Sequence, residues 1–178
     1  MKSRKFHQLG FTMIELLIVM VILALLLSIG LGGFASSQRK SRDSGRKTDL
    51  QNIARALELY YNDKGEYPID TSNTGIISQD WGDPFVDPTN LSNLYMNFLP
   101  SDPGGFTYYY TSTDGSYYQL YAILENDNDL DLNKDLDDIT QFYSGTDCGV
   151  ESATSCNYGI SSTNIAPASG HTLTSPSY

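Results

Sequence analysis

Glu15 is the only charged residue in FTMIELLIVMVILALLLSIGLGGFA, residues 11–35. A carboxylate at membrane depth costs free energy, so it is a functional candidate whose partner must be sought. A second candidate is the acidic run ENDNDLDLNKDLDD, residues 125–138. In it Asp127, Asp129, Asp131, Asn133, Asp135 and Asp138 fall at positions 1, 3, 5, 7, 9 and 12 of a loop, the oxygen-ligand spacing of a calcium site, with Asn133 offering its carbonyl. Leu132 stands where such a turn needs Gly, and Asp138 is shorter than the usual Glu, so a solvated acidic loop is the alternative. A third candidate is the pair Cys148 and Cys156. Two close cysteines in an exported chain point to a disulfide, with two independent thiols as the alternative. Catalytic constellations are missing from the sequence. It has no Gly-rich phosphate loop, no His beside a paired nucleophile and no HExxH motif. Two Cys, with only His7 and His171 beside them, do not make a Cys or His zinc site.

The elements that must position these groups differ sharply along the chain. Of 178 residues, 11 are basic and 21 acidic, for a net charge of -10, which argues against a protein that coats nucleic acid. An apolar content of 40% excludes wholesale disorder. Residues 1–64 hold ten basic and five acidic residues, whereas residues 65–178 hold sixteen acids and one base, Lys134. A basic stem therefore carries an acidic head. Lys2, Arg4 and Lys5 precede the apolar stretch, as in an export or membrane signal. Residues 11–35 as a helix are long enough to cross a bilayer. Three readings compete: a removable signal cut after Gly33-Phe34-Ala35, a plain anchor, and a cut after Gly10 that retains the helix.

The stretch Lys5-Phe6-His7-Gln8-Leu9-Gly10-Phe11-Thr12-Met13-Ile14-Glu15-Leu16-Leu17 resembles the N-terminus of type IV prepilins and of type II secretion pseudopilins. In that family a prepilin peptidase cuts after the Gly and methylates the new N-terminal Phe. The resemblance implies cleavage between Gly10 and Phe11, methylation of Phe11, and a filament in which the Phe11 amine of one subunit meets Glu15 of another. It also implies an inner-membrane assembly platform, an assembly ATPase, and a single-pass location in the cytoplasmic membrane before transfer to an extracytoplasmic filament. The fold implied is α+β: a long N-terminal helix, transmembrane then amphipathic, packed on a small antiparallel sheet. The divisions expected are a leader at 1–10, a membrane or filament-core helix at 11–35, its basic and then amphipathic continuation at 36–63, and a head at 64–178. Some major pseudopilins bind calcium in a late head loop, so the resemblance adds to the case for a calcium ion at 127–138.

Downstream, SSQRKSRDSGRKTD, residues 36–49, contains five cations against three in the leader. By the positive-inside rule alone this side would be cytoplasmic; the resemblance and the cysteine pair place it outside. The basic stretch is expected either to be solvated or to touch lipid headgroups and the acidic heads of neighbours. Leu50, Ile53, Ala54, Leu57, Tyr60 and Tyr61 recur at helical spacing, and Asn62-Asp63-Lys64-Gly65-Glu66-Tyr67-Pro68 ends the helix. Residues 69–105 read as loop with a short helix near Asn90–Phe98. Phe106–Thr111 and Tyr117–Leu124 read as strands joined by a turn at Ser112–Ser116, and Tyr158–Ile160 as a final edge strand or coil. The function expected is a structural filament subunit of the secretion type. The rivals are a type IV pilin for adhesion, motility or DNA uptake, a tethered calcium- or ligand-binding module that never polymerises, and a secreted enzyme with a conventional signal.

Overall fold

A computed structural model describes residues 10–70, 75–77, 79–149 and 155–176, with the side chains of 28–33 left aside. Of the leader expected at 1–10, residues 1–9 lie outside the described residues. A single long helix, α1, runs from Met13 to Lys64, 52 residues. Its contacts divide the chain into one unit ending at Gln38 and a second spanning Arg39–Tyr178.

In the first unit, every large apolar side chain from Met13 to Leu27 is at least half exposed. A helix that is apolar on all faces needs an apolar environment around it. Among the described residues no helix is long and apolar enough to cross a membrane.

In the second unit, α1 is one-faced. Asp43, Arg46, Leu50, Ile53, Leu57 and Tyr60 are buried in an unbroken three- and four-residue rhythm. The stripe is charged for its first two members and apolar afterwards. Ala56 is buried beside it, while Tyr61, expected on this face, stays 40% exposed. The helix ends where the sequence predicts. Gly65 adopts φ +77°, and its N–H donates to the Tyr61 carbonyl at 2.7 Å, the left-handed cap that glycine favours.

The strands follow in chain order: β1 (Gly75–Ile76), β2 (Gln79–Asp80), β3 (Phe85–Asp87), β4 (Asn90–Met96), β5 (Tyr109–Thr111), β6 (Gln119–Ala122), β7 (Phe142–Tyr143), β8 (Tyr158–Ser161) and β9 (Leu173–Thr174). β5, β6 and β8 form an antiparallel sheet in that order, and the others pair as β1–β2, β3–β4 and β7–β9. The α+β class read from the sequence is therefore the observed one. The predicted hairpin appears as β5–β6, with Thr111 opposite Gln119, and the predicted last strand as β8, with Leu120 opposite Ile160.

Tyr108, Tyr110, Tyr118 and Leu120 pack with Leu50, Ile53, Leu57 and Tyr60 of α1 in one core, joined by Phe85 and Leu99. The tyrosines are packing groups, and two of them have anchored hydroxyls. Tyr108 donates to Asp49 at 2.7 Å and Tyr110 to the Pro68 carbonyl at 2.6 Å, which satisfies the polar end of a buried ring. A second cluster holds Tyr121, Ile123, Tyr143, Cys148 and Cys156.

Two local expectations are corrected. The short helix expected near Asn90–Phe98 is strand β4. Asp87 Oδ1 accepts from Thr89 N at 2.8 Å and folds a tight turn, Asn90 pairs opposite Asp87, and the Tyr95 ring packs on Tyr60 at 5.1 Å. Asn and Ser compete with a helix for backbone bonds. The predicted strands at 106–111 and 117–124 are also shorter, the first at its outer end and the second by two residues at each end. Phe106 N donates to Asp102 Oδ1 at 3.1 Å, and Leu124 N donates to the Asn157 side chain at 2.8 Å, so side chains replace the ladder there.

Candidate functional site

The first site is the start of α1. Gly10 and Phe11 precede the helix, and Phe11 is 84% exposed. Thr12 and Glu15 form a capping box. Glu15 Oε2 accepts from Thr12 N at 2.9 Å and from Thr12 Oγ1 at 2.8 Å, and Glu15 N donates to Thr12 Oγ1 at 3.3 Å. Glu15 Oε1 has no hydrogen-bond partner among the described residues. The Thr-x-x-Glu pattern is legible in the sequence, and it adds to Glu15 a local role that the intersubunit reading did not include.

The second site joins α1 to the head, and the sequence reading missed it. Arg46 is fully buried. Its Nε donates to Asp102 Oδ2 at 2.6 Å, Nη2 to Asp102 Oδ1 at 3.1 Å and Nη1 to Asp43 Oδ1 at 2.7 Å, and Nη1 lies 2.8 Å from Glu125 Oε1. The fork geometry of arginine suits this bidentate grip on Asp102. The guanidinium carbon also sits 5.4 Å from the centre of the Phe106 ring. Burial works against the Arg46 charge, but the Asp102, Glu125 and Asp43 carboxylates outweigh it and raise its pKa.

Arg42 adds a second fork on Glu125, Nε to Oε1 at 2.8 Å and Nη2 to Oε2 at 2.5 Å. The Arg42 hydrogen bond first, and then Arg46, outweigh burial and hold the Glu125 carboxyl down at about 2. Asp43 closes the cluster by accepting Glu125 N and Asn126 N, both at 2.9 Å. Gly104 makes room for the guanidinium, since a Cβ built there would overlap Arg46 Nη2.

The basic stretch is thus divided: Arg42, Arg46 and Lys47 are engaged by the chain's own head, while Arg39 and Lys40 are exposed. The signal that could have found this is the phase of Asp43 and Arg46, which continue the stripe of Leu50, Ile53 and Leu57 one turn earlier.

The acidic run divides in two. Asp129 Oδ1 and Asp131 Oδ2 receive Lys47 Nζ at 2.5 and 2.6 Å. Burial opposes the Lys47 charge, but the Asp129 and Asp131 hydrogen bonds outweigh it and raise its pKa. Beyond them, Asn133 spends its carbonyl on Gln141 N at 2.8 Å and its amide on the Tyr143 hydroxyl at 2.7 Å. Asp135 accepts from Asp137 N, Ile139 N and Ser175 Oγ at 3.0, 2.9 and 2.5 Å. Asp138 takes a left-handed φ of 62° and pairs with Lys134 at 2.9 Å, and Asp127 lines a shallow cleft with Asp138, Ile139 and Phe142. Among the described residues no three acidic, His or Cys side chains converge on one point. In this arrangement the six residues at calcium-loop spacing do not fit a single hard cation, which needs several oxygens around one centre.

Cys148 and Cys156 are joined in a disulfide with Cα atoms 5.4 Å apart, and both are buried. Residues 150–154 of the loop they close lie outside the described residues.

One long helix, apolar at its start and docked on a small antiparallel head further on, with an acid four residues past a Gly-Phe junction, defines a pilin-like subunit. Residues 5–31 match the prokaryotic N-terminal methylation motif, and residues 34–140 match the family described as Type II secretion system (T2SS), protein G. The chain belongs to that family, the major pseudopilins of type II secretion, and is a structural subunit, not an enzyme.

Among its relatives, the type II secretion system core protein G of Pseudomonas aeruginosa is 31% identical over 136 residues, covering 71% of this chain and 94% of that protein. The core protein G of Vibrio cholerae is 32% identical over 112 residues, 62% of this chain and 74% of that protein. The type IV major pilin protein PilA of Myxococcus xanthus is 36% identical over 58 residues, 33% of this chain and 26% of that protein. No solved structure matches at a significant level.

Proposed function

We propose that this subunit is cut between Gly10 and Phe11, methylated at the Phe11 amine, held in the cytoplasmic membrane by the apolar start of α1, and polymerised into an extracytoplasmic pseudopilus that serves protein secretion. The carrying observation is a helix exposed and apolar on every face from Met13 to Leu27 with one carboxylate in its first turn. Such a surface is covered by lipid before assembly and by other copies of the helix afterwards. In the sequence the apolar run continues past Leu27 through Ala35, long enough to span with some tilt.

Glu15 has two tasks in this reading. Oε2 holds the helix start, and Oε1 takes the Phe11 amine of an adjacent subunit. Pairing removes the cost of keeping an anion near the hydrocarbon, and so favours docking at one axial register. Subunits related by translation and rotation form an open helical polymer. The processing peptidase, assembly platform and ATPase are the partners this role requires. The Cys148–Cys156 disulfide supports an extracytoplasmic head, since disulfides persist in oxidising compartments. The match to protein G extends into the head as far as residue 140, whereas PilA matches a third of the chain, which supports the secretion branch over an adhesive or motility pilus.

Glu15→Val should insert and be processed normally, yet yield roughly tenfold fewer sheared filaments, the factor made by about 1.4 kcal/mol. Mass spectrometry of the mature N-terminus and electron microscopy of filaments test this together. Unchanged filament yield overturns the role of Glu15, and a mature chain beginning at Ser36 overturns the processing.

A further inference from the structure

The acidic run has the spacing of a cation loop, yet two of its carboxylates already hold a cation that belongs to the chain. Lys47 Nζ bridges Asp129 Oδ1 and Asp131 Oδ2 at 2.5 and 2.6 Å, and Asp131 N donates back to Asp129 Oδ1 at 3.0 Å. Lys47 also lies 5.6 Å from the centre of the Tyr158 ring, on strand β8. Of the remaining members of the run, Asn133, Asp135 and Asp138 are committed to backbone and side-chain partners further along, and Asp127 lines the cleft beside Asp138.

We propose that the Lys47 ammonium is a built-in replacement for a metal ion: it neutralises the repulsion between Asp129 and Asp131 and fastens the loop to α1, so that the head folds without calcium. The two solutions differ mechanically. A metal gathers a loop onto itself through several oxygens. A lysine is a point charge on a long flexible stem, content with two carboxylates, and it ties them to whatever element bears it. Here that element is the helix turn that also carries Arg42 and Arg46, so three consecutive cations of α1 grip residues 102, 125, 129 and 131. Removing the ammonium would leave two carboxylates facing one another with no counter-charge, which is a vacant seat for a divalent cation. The inference is independent of the polymer, since one folded chain suffices to test it.

The experiment compares thermal unfolding of the full chain in detergent micelles with excess EDTA or millimolar calcium chloride, together with calcium uptake by equilibrium dialysis. The wild-type chain should take up no calcium, and its Tm should agree in the two conditions within about 1 °C. Lys47→Met should unfold about 3 °C lower in EDTA, the shift that roughly 1 kcal/mol makes in a chain of this size, and calcium should restore most of that loss. Lys47→Arg keeps the positive charge, should behave as wild type, and serves as the reference if Lys47→Met does not fold. Calcium uptake with a raised Tm in the wild-type chain overturns the proposal. So does Lys47→Met that is as stable as wild type and indifferent to calcium, or Lys47→Arg that responds to calcium.

Discussion

The two parts of α1 obey different rules although one backbone runs through both. From Met13 to Leu27 the side chains are apolar around the whole circumference, and none of the large ones is buried by the chain. From Arg39 onward a single stripe is buried, opening with Asp43 and Arg46 and turning to Leu50, Ile53, Leu57 and Tyr60. The first part depends on a medium outside the chain. The second makes its own interior, and it does so with charge before oil. Burying a guanidinium is costly, and it is tolerated here because each of its faces meets a carboxylate or an aromatic ring. Helix continuity therefore says little about function; what each turn is packed against separates an anchor from a scaffold.

The contrast can be broken most severely at Arg46. Arg46→Met leaves Asp43, Asp102 and part of Glu125 facing one another without their cation, and should destabilise the head by about 3–5 kcal/mol. Urea unfolding followed by tyrosine fluorescence would read that loss, while membrane insertion of the first part of α1 should not change.

A smaller effect is expected away from the helix. Replacing both Cys148 and Cys156 with Ser opens a short loop, and the chain-entropy account gives about 2.6 kcal/mol lost from the head. Reduction of the wild-type protein should reproduce that loss in the same unfolding assay. If both manipulations leave the midpoint unmoved, the second core cluster does not depend on its crosslink.

Acid offers the finest separation of the two parts. Glu125 is held down at about 2 by Arg42 and Arg46, below its ordinary 4.5. A carboxyl with a lowered folded-state pKa binds fewer protons folded than unfolded, so its contribution is complete above its unfolded pKa and disappears as pH falls. Head stability should therefore be steady near neutrality and decline as pH drops from about 4.5 towards about 2. Glu125→Gln should flatten this limb, which denaturant melts across pH would show.

Much of this architecture is legible in the sequence where local chemistry decides it. Gly65 and Pro68 end the helix, the Asp114-Gly115 turn closes the β5–β6 hairpin, and the apolar rhythm from Leu50 locates the docked face. What escapes are features set by residues distant in sequence. The spacing of Asp127 to Asp138 is a local signal, but the cation that reaches it comes from Lys47, 82 residues before Asp129. Arg46 reads as one more base in a basic stretch because its partners, Asp102 and Glu125, stand in loops far downstream. Strand β4 was obscured because its pairing is fixed by a turn at Asp87–Thr89 and a ring contact with Tyr60, neither of which shows as alternation within Asn90–Met96.

The bare backbone at Gly104 also governs how deeply charge can be sunk. Because position 104 projects no atoms, the loop that presents Asp102 lies flush against the planar end of Arg46. A methyl group added there would overlap Arg46 Nη2, so either the guanidinium must shift among its carboxylates or the loop must move away from it. The residue contributing the least matter to the junction thus sets the tolerance to which the whole joint is cut.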